Sequence, residues 1–217
     1  WESRTPPNNH SGKPPHLMVR GFSAFTATVT CMNEFDVRPI RADEWPAVRE
    51  LRLAALQDPA APLAFFETYD SAEKLPDSFW QERAAGCAEG AVGARQFVAV
   101  GADGAWVGGL AVLVEEAGSV DWAGQPVEQR QGQVVGVYVR PAVRGGGGVV
   151  GALFRAALEW AWGIGLDRVR LLVHRENGRA LAAYERIGFV ATGVVVPLEG
   201  DSGEDELEYV YVRPSER

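Results

Sequence analysis

The sequence from residue 134 to residue 154 reads Val-Val-Gly-Val-Tyr-Val-Arg-Pro-Ala-Val-Arg-Gly-Gly-Gly-Gly-Val-Val-Gly-Ala-Leu-Phe. This pattern predicts a strand, a bend at a proline, an arginine, four glycines and then an amphipathic helix. Glycines at such a junction let the backbone approach a ligand closely, and the first N–H groups of the helix favour an anion. The planar donor fork of Arg144 suits phosphate. We therefore predict that residues 144–149 hold a phosphate or pyrophosphate.

The sequence outside this stretch predicts a mixed α/β domain. Alternating apolar residues indicate strands, and apolar residues spaced three and four apart indicate helices. The predicted strands cover 35–40, 96–100, 105–115, 133–139, 168–173, 189–197 and 207–212, and the predicted helices cover 43–57, 77–88, 148–163 and 179–187. The order is β-α-α-β-β-β-α-β-α-β-β, in which antiparallel hairpins precede a strand–helix–strand crossover. Asp77 and Ser78 are predicted to cap the second helix, and Gly188 is predicted to end the last one.

The chain has 217 residues, which suits one α/β domain and a tail. Residues 1–34 begin with a polar stretch rich in Pro, Asn and Ser, so we predict a tail with little regular structure. Met32 is a candidate natural start, and whether residues 1–31 belong to the native protein is left open. Residues 35–213 are predicted to form a single domain.

The composition excludes several classes of partner. A net charge of −8 argues against nucleic acid, because phosphate backbones favour basic surfaces. No apolar run approaches the roughly 18–20 residues that cross a bilayer, so we expect no membrane segment. The two cysteines, Cys31 and Cys87, show no paired spacing, which favours a reducing cytoplasm. No metal-ligand motif is recognised, and none is predicted.

Two motifs point to the same family. The first is Val139-Arg-Pro141 with Arg144 and the glycines that follow it, and the second, residues 177–189, reads Asn-Gly-Arg-Ala-Leu-Ala-Ala-Tyr-Glu-Arg-Ile-Gly-Phe. Together they resemble the GNAT superfamily of N-acetyltransferases, in its acetyl-CoA signature and its Asn…Tyr…Gly-Phe element. The resemblance covers residues 134–189 by motif and 35–213 by the order of elements. It implies a GNAT-like fold and direct acetyl transfer from acetyl-CoA to a primary amine.

The resemblance also implies where the cofactor binds. The pantetheine arm of acetyl-CoA would lie along the fourth strand, at Val137, Tyr138 and Val139, as an added strand does. Gly136 suggests a bulge that separates this strand from the next one and opens a slot. Arg144 would hold the pyrophosphate together with backbone N–H groups of Gly145, Gly146, Gly147, Gly148 and Val149. The loop has one glycine more than the family pattern, so the pairing of N–H groups with phosphate oxygens is open by one residue.

The second motif supplies the chemistry that the family resemblance implies. Tyr184 would act as general acid toward the departing CoA thiolate, since a phenol with a pKa of about 10 is protonated at neutral pH. Asn177 resembles the family residue that bonds the cofactor arm or its local turn. It also fits the N-cap of the following helix, and the two roles are compatible.

The general base and the acceptor are left open. Candidate bases are Glu115, Glu116, Glu128 and His174, and deprotonation through water is equally compatible with the sequence. The acidic segment from 199 to 208 is assigned to the last hairpin turn, either as a solvated loop or as an overhang above the acceptor entrance. Residues 57–70, residues 116–132 and the final hairpin are expected to form the acceptor walls. A homodimer is expected only because dimers are common among such proteins.

Two other functions remain as alternatives. A domain of the same fold can bind acyl-CoA without catalysis, because a fold does not fix a function. A dinucleotide-binding oxidoreductase is suggested by Gly146, Gly148 and Gly151, which match a GxGxxG pattern. Against this second alternative, residues 140–144 separate the strand from the glycines, and too few residues follow for a full nucleotide domain.

Overall fold

The computed structural model describes residues 35–121, 124–145, 148–197 and 205–214, which form one mixed sheet with helices on its faces. The strands within these ranges are β1 (Phe35–Pro39), β2 (Ala94–Gly101), β3 (Trp106–Glu115), β4 (Gln131–Val139), β5 (Arg168–His174), β6 (Val190–Pro197) and β7 (Asp205–Val212). The α-helices are α1 (Trp45–Leu56), α2 (Tyr69–Glu73), α3 (Asp77–Cys87), α4 (Val149–Gly163) and α5 (Gly178–Ile187). The predicted tail, residues 1–34, lies outside the described residues.

The strands follow the order β1-β2-β3-β4-β5-β7-β6 across the sheet. Only β4 and β5 are parallel among the described strand pairs, and α4 makes the crossover between them. The predicted fold class is confirmed, and each predicted boundary lies within two residues of the observed one. The short helix α2 was not predicted, because five residues are too few to leave a helical period in the sequence.

Two apolar cores hold the helices against the sheet. The core under α4 contains its buried residues together with inward side chains of β4 and β5, and includes Leu153, Phe154, Val134, Val169 and Leu171. The core on the other side contains residues of α1 and α3 and includes Val48, Leu51, Trp80, Ala84 and Val98. None of the helices in the described ranges is long and apolar enough to cross a membrane.

The ends of the helices explain one wrong detail of the prediction. Pro76, and not Asp77 or Ser78, stands at the N-cap of α3, and no described side chain caps this helix. The extended backbone of Pro76 fits the N-cap, and Asp77 then falls in the first turn, where its charge favours the helix dipole. At the end of α5, Gly188 adopts a φ of 112° and donates to the carbonyl oxygen of Tyr184, as predicted.

Strands β4 and β5 separate from each other halfway along their length. Their pairing covers Gly132 to Val134 and stops at Val134↔Leu171, although both strands continue. Leu110 of β3 lies opposite two residues of β4, Gly136 and Val137, and Gly136 has a φ of 65°. The predicted bulge is therefore present, and it turns the end of β4 away from β5. This separation leaves an unpaired strand edge beside a slot.

Candidate active site

A cavity of about 970 Å³ lies where the slot meets the start of α4. Its walls come from the end of β4, the loop that follows β4, α4, α5 and the connection after α1. Val137, Tyr138 and Val139 line it, as the sequence analysis expects of the fourth strand. The pairing of β4 with β5 has already ended at this level, so this edge of β4 has no neighbouring strand among the described residues and can pair with an extended ligand.

The start of α4 contributes free backbone donors to the cavity. The helix begins at Val149 after Gly148, whose φ of 67° is left-handed, and its first helical bond runs from Ala152 N–H to the Gly148 carbonyl at 3.0 Å. The N–H groups just before Ala152 have no carbonyl in the helix to bond. A Cβ added at Gly145, Gly148 or Gly151 would meet no atom of the described residues within 4 Å, apart from its immediate surroundings along the chain. The cavity therefore offers open space beside the positive end of a helix.

The charges around the cavity favour an anion. Four arginines and one aspartate belong to its wall, namely Arg144, Arg155, Arg179, Arg186 and Asp58. Three of the arginines, all except Arg144, form no salt bridge with any described residue. The cavity is therefore positively charged, although the chain as a whole carries a net charge of −8.

Arg144 is held by two partners inside the cavity wall. Its Nε donates to the carbonyl oxygen of Val139 at 2.6 Å, and its Nη2 forms a salt bridge with Asp58. The guanidinium also lies 5.5 Å from the centre of the Tyr138 ring. Burial would raise the pKa of Asp58, but hydrogen bonds from Arg144 and from the Ala60 N–H outweigh it, so that this pKa is lowered. Asp58 was missed in the sequence, where nothing links it to a glycine loop far along the chain.

The predicted glycine loop is only partly described. Gly145, Gly148 and Val149 line the cavity. Gly146 and Gly147, which were also predicted to bind the cofactor, lie outside the described residues.

Tyr184 places a phenol in the cavity wall. It is 8% exposed, and its ring packs against Phe154 and Phe189, with ring centres 5.6 and 6.2 Å apart. Its hydroxyl forms no hydrogen bond with a described residue. Burial raises the pKa of Tyr184, and the negative charge of Glu206 raises it further. The phenol is therefore protonated throughout the physiological range of pH.

Asn177 is the N-cap of α5. Its Oδ1 accepts a hydrogen bond from the Ala180 N–H at 3.2 Å, which is one of the two roles considered from the sequence. Its Nδ2 donates to the carbonyl oxygen of Leu63 at 3.3 Å. Asn177 thus joins α5 to the connection after α1, at the edge of the cavity.

The candidate bases occupy different environments. Glu115 accepts hydrogen bonds from Gln131 and Arg170, both at 2.8 Å, within a network of ion pairs. Glu116 pairs with the partly exposed Arg130 at 3.1 Å, and Glu128 is exposed in the connection between β3 and β4. His174 is 6% exposed at the end of β5, where its Nδ1 accepts a hydrogen bond from the Glu176 N–H.

Glu206 does not lie in a turn, as was predicted, but in a strand. Its acidic segment was assigned to a turn, but strand β7 already begins at Asp205, while residues 198–204 lie outside the described ranges. Glu206 is the cross-strand partner of His174 on β5. Burial raises the pKa of Glu206 to about 7. Asp205 and Glu206 are two polar residues in succession before Leu207, so no alternation in the sequence marks the start of this strand.

Comparison with known proteins agrees with this architecture. The sequence model of the Acetyltransferase (GNAT) family matches residues 45–189. A GNAT family acetyltransferase from Streptococcus pneumoniae is similar in structure, with a TM-score of 0.65 and 16% identity over 83% of this chain and 100% of that chain. PaiA N-acetyltransferase from Thermoplasma acidophilum in complex with coenzyme A gives 0.60 and 16%, over 82% and 99%. NAA60 from Arabidopsis thaliana in complex with a bisubstrate analogue gives 0.57 and 17%, over 82% and 98%. The comparison with curated proteins gave no match.

At 16–17% sequence identity, the similarity to these solved structures shows a shared fold and nothing more. The family match shows membership of the family as well as the fold, because it spans more than half of the chain and includes both motifs, from the glycine loop to Phe189. The resemblance inferred from the two motifs is confirmed. The chain belongs to the GNAT family and is an acetyltransferase.

Proposed function

We propose that this enzyme transfers the acetyl group of acetyl-CoA directly to a primary amine of a small molecule or a protein. The observation that carries the proposal is that one cavity combines the start of α4, the unpaired edge of β4 and the phenol of Tyr184. The neighbour from Thermoplasma acidophilum was solved with coenzyme A, which supports the choice of a CoA thioester. No covalent enzyme intermediate is needed, because the amine attacks the thioester itself.

In this proposal the pyrophosphate of acetyl-CoA binds at the start of α4. The donors are backbone N–H groups from Gly145 to Val149, and the helix dipole favours the negative charge. Arg144 adds its charge while it remains bonded to Val139 and Asp58, since a guanidinium has five N–H donors and these contacts use two. The exposed arginines of the cavity wall attract the remaining negative charge of CoA.

The pantetheine arm then extends along β4. Its amides pair with backbone groups of Val137, Tyr138 and Val139, as an added strand pairs with a sheet edge. Asn177 supports this arrangement from the side, because it caps α5 and fixes the Leu63 carbonyl beside the cavity. In this arrangement the thioester lies near Tyr184.

Tyr184 acts on the leaving group. The amine nitrogen forms a bond to the acetyl carbon, the C–S bond breaks, and the phenol donates its proton to the departing sulfur. The raised pKa of Tyr184 keeps this proton in place until the thiolate forms. Burial also raises the pKa of the departing CoA thiol, which favours protonation of the thiolate.

The first experiment is calorimetric titration of the protein with acetyl-CoA, with NADH as the control ligand. We expect micromolar binding of acetyl-CoA and none of NADH, followed by release of CoA thiol in the presence of a panel of primary amines. Absence of acetyl-CoA binding would overturn the proposal. Binding without CoA release for any amine would instead favour a non-catalytic acyl-CoA-binding domain.

A further inference from the structure

The first half of β7 carries three carboxylates in different electrostatic surroundings. Asp205 pairs with Arg175 at 2.6 Å. Glu208 pairs with Arg168 at 2.8 Å and with Arg170 at 3.1 Å. Glu206 lies between them along the strand and forms no salt bridge or hydrogen bond through its carboxylate with any described residue. Its Oε2 is buried without a partner in this part of the chain, while the residue as a whole remains partly accessible.

His174 lies directly across from Glu206 and also has an unused polar atom. The two residues are Cα partners in the antiparallel β5–β7 pair, so their side chains lie on the same face of the sheet. His174 Nδ1 accepts a hydrogen bond from the Glu176 N–H at 3.1 Å, which leaves Nε2 as the donor of a neutral ring. That Nε2 is buried without a partner among the described residues. Two adjacent buried polar groups therefore lack partners, and a bound ligand would supply them.

Glu206 is within electrostatic reach of the proposed leaving-group acid. Its charge contributes to the raised pKa of Tyr184. Tyr184 belongs to α5, which follows β5 after a tight turn in which the Asn177 N–H donates to the His174 carbonyl at 2.9 Å. The end of β5, the start of β7 and the phenol are thus brought together at one end of the slot.

We propose that Glu206 binds the ammonium group of the acceptor and takes its proton, and that the ring of His174 positions the Glu206 carboxylate or the incoming nitrogen. This inference rests on the proposed function and extends it to the acceptor side of the reaction. The acceptor amine provides the cation that no described residue gives to Glu206, whereas arginines already pair with Asp205 and Glu208. The substrate class is a primary amine that arrives protonated.

The protons balance in this scheme. The ammonium gives one proton to the Glu206 carboxylate and becomes a nucleophilic amine. The nitrogen bonds to the acetyl carbon and loses its second proton, while the C–S bond breaks and the sulfur receives a proton from Tyr184, whose phenol is restored by the proton that the nitrogen loses. The products are an amide and a thiol, and Glu206 finally releases one proton to solvent.

The groups that surround the Glu206 carboxylate determine the pH at which it loses its proton. His174 faces it from β5, the phenol of Tyr184 lies within reach from α5, and Val196 is its apolar partner on β6. The neighbouring charged groups on the strand are the paired Asp205 and Glu208. Burial raises the pKa of Glu206 to about 7, which brings it nearer to that of an amine than an ordinary glutamate at about 4.3.

The test compares the Glu206→Gln variant with the wild type across pH, with the most active amine of a panel containing lysine, spermidine, tyramine and kanamycin. We expect kcat/KM for the amine at pH 7 to fall about 100-fold or more, and the acetyl-CoA Kd to change less than about twofold. The wild-type profile of kcat/KM is expected to be bell-shaped, with its acid limb near pH 7. The variant should lose this limb and rise steadily toward the pKa of the amine, because only the free amine then reacts.

Two variants serve as controls. Glu206→Asp should restore part of the activity and the acid limb, and Asp205→Asn, which removes an already paired carboxylate on the same strand, should retain the wild-type profile. An unchanged pH profile in Glu206→Gln, with acetyl-CoA still bound, overturns the role of Glu206 and leaves the proposed function intact.

A binding measurement tests the same role without turnover. In protein labelled with [13C]glutamate, the carboxyl signal that Glu206→Gln removes should titrate at a lower pH when ethylammonium chloride is added. An ammonium ion that leaves this titration unchanged contradicts the proposed site, whether or not the protein binds acetyl-CoA.

Discussion

The guanidinium of Arg144 forms a salt bridge with the carboxylate of Asp58, a residue 86 positions earlier in the chain. The contact joins the connection after α1 to the loop that leads into α4. The side chain of Asp58 is only 4% exposed, so water cannot replace Arg144 as its partner. The loop that leads into α4 and one wall of the cavity are therefore held together by a buried charge pair.

Substitution Asp58→Asn is expected to destabilise the protein in a pH-dependent way. At pH 7 the free energy of unfolding should fall by about 1–3 kcal/mol, since Arg144 loses its charged partner. The pKa of Asp58 is lowered in the folded state, so its contribution exists above the unfolded pKa of about 3.9 and is lost as the pH falls below it. Urea unfolding at pH 7 and at pH 3 measures both effects. Equal losses of stability at the two pH values would contradict this account.

Because Gly151 has no side chain, we expect it to leave room for a phosphate group beside the start of α4. A methyl group at this position meets no atom within 4 Å and occupies open space beside the cavity. We expect Gly151→Ala to weaken acetyl-CoA binding by about tenfold, because the methyl takes room beside the helix N-terminus that a phosphate needs. Alanine is the better helix former by roughly 0.5–1 kcal/mol, so the variant should not be less stable.

The matched control for this experiment lies on the same helix. Gly163 ends α4, does not line the cavity, and also has open space at the position of a Cβ. Gly163→Ala should leave the acetyl-CoA Kd unchanged in calorimetry. A similar loss of affinity in both variants would mean that the effect comes from the helix and not from the cavity.

The fold could be predicted because its signals are local. The helix period of α4, the run of glycines before it and the Gly188 stop are each determined by neighbouring residues. The separation of β4 from β5 was also predictable, since one glycine within a strand indicates a bulge. These features, and the two motifs, were sufficient to identify the family.

The partners of the site residues were not predictable, because they come from distant segments of the chain. Asp58 reaches Arg144 only because the connection after α1 folds back over the end of β4. Glu206 faces His174 only through the register of β5 with β7, and a strand start within an acidic run resembles a solvated turn. Contacts between distant segments leave no periodic pattern in one sequence. A dinucleotide-binding fold is built on a mostly parallel sheet, whereas the described strands pair in parallel only between β4 and β5. The pairing of the strands therefore argues against the dinucleotide alternative.

Substitution Tyr184→Phe tests the proposed acid. The variant keeps the ring packing against Phe154 and Phe189 and removes a hydroxyl that bonds no described residue, so its stability should be close to that of the wild type. We expect kcat to fall about 100-fold while the acetyl-CoA Kd stays within about twofold. Stopped-flow detection of CoA thiol and calorimetry give the two values. An unchanged kcat would remove Tyr184 from the chemistry.

The carboxylate of Glu206, which pairs with no described residue, should also reduce the stability of the protein at high pH. Its pKa rises from 4.5 to about 7 on folding, so the folded state favours the protonated acid. Stability relative to Glu206→Gln is therefore equal below about pH 4, decreases as the pH rises through this interval, and stays low above pH 7. We expect the variant to be more stable by about 1–2 kcal/mol at pH 8, after allowing for solvent around a partly exposed group.

Chemical unfolding of both proteins at pH 4, 6 and 8 measures this difference. A difference that does not change with pH would show that the carboxylate already has a partner in the free enzyme. A gain of stability together with a loss of activity in Glu206→Gln would mean that the wild type maintains an unfavourable buried charge. Such a charge is typical of a residue that acts on a substrate, and in the proposed mechanism the ammonium of the acceptor supplies the partner of Glu206.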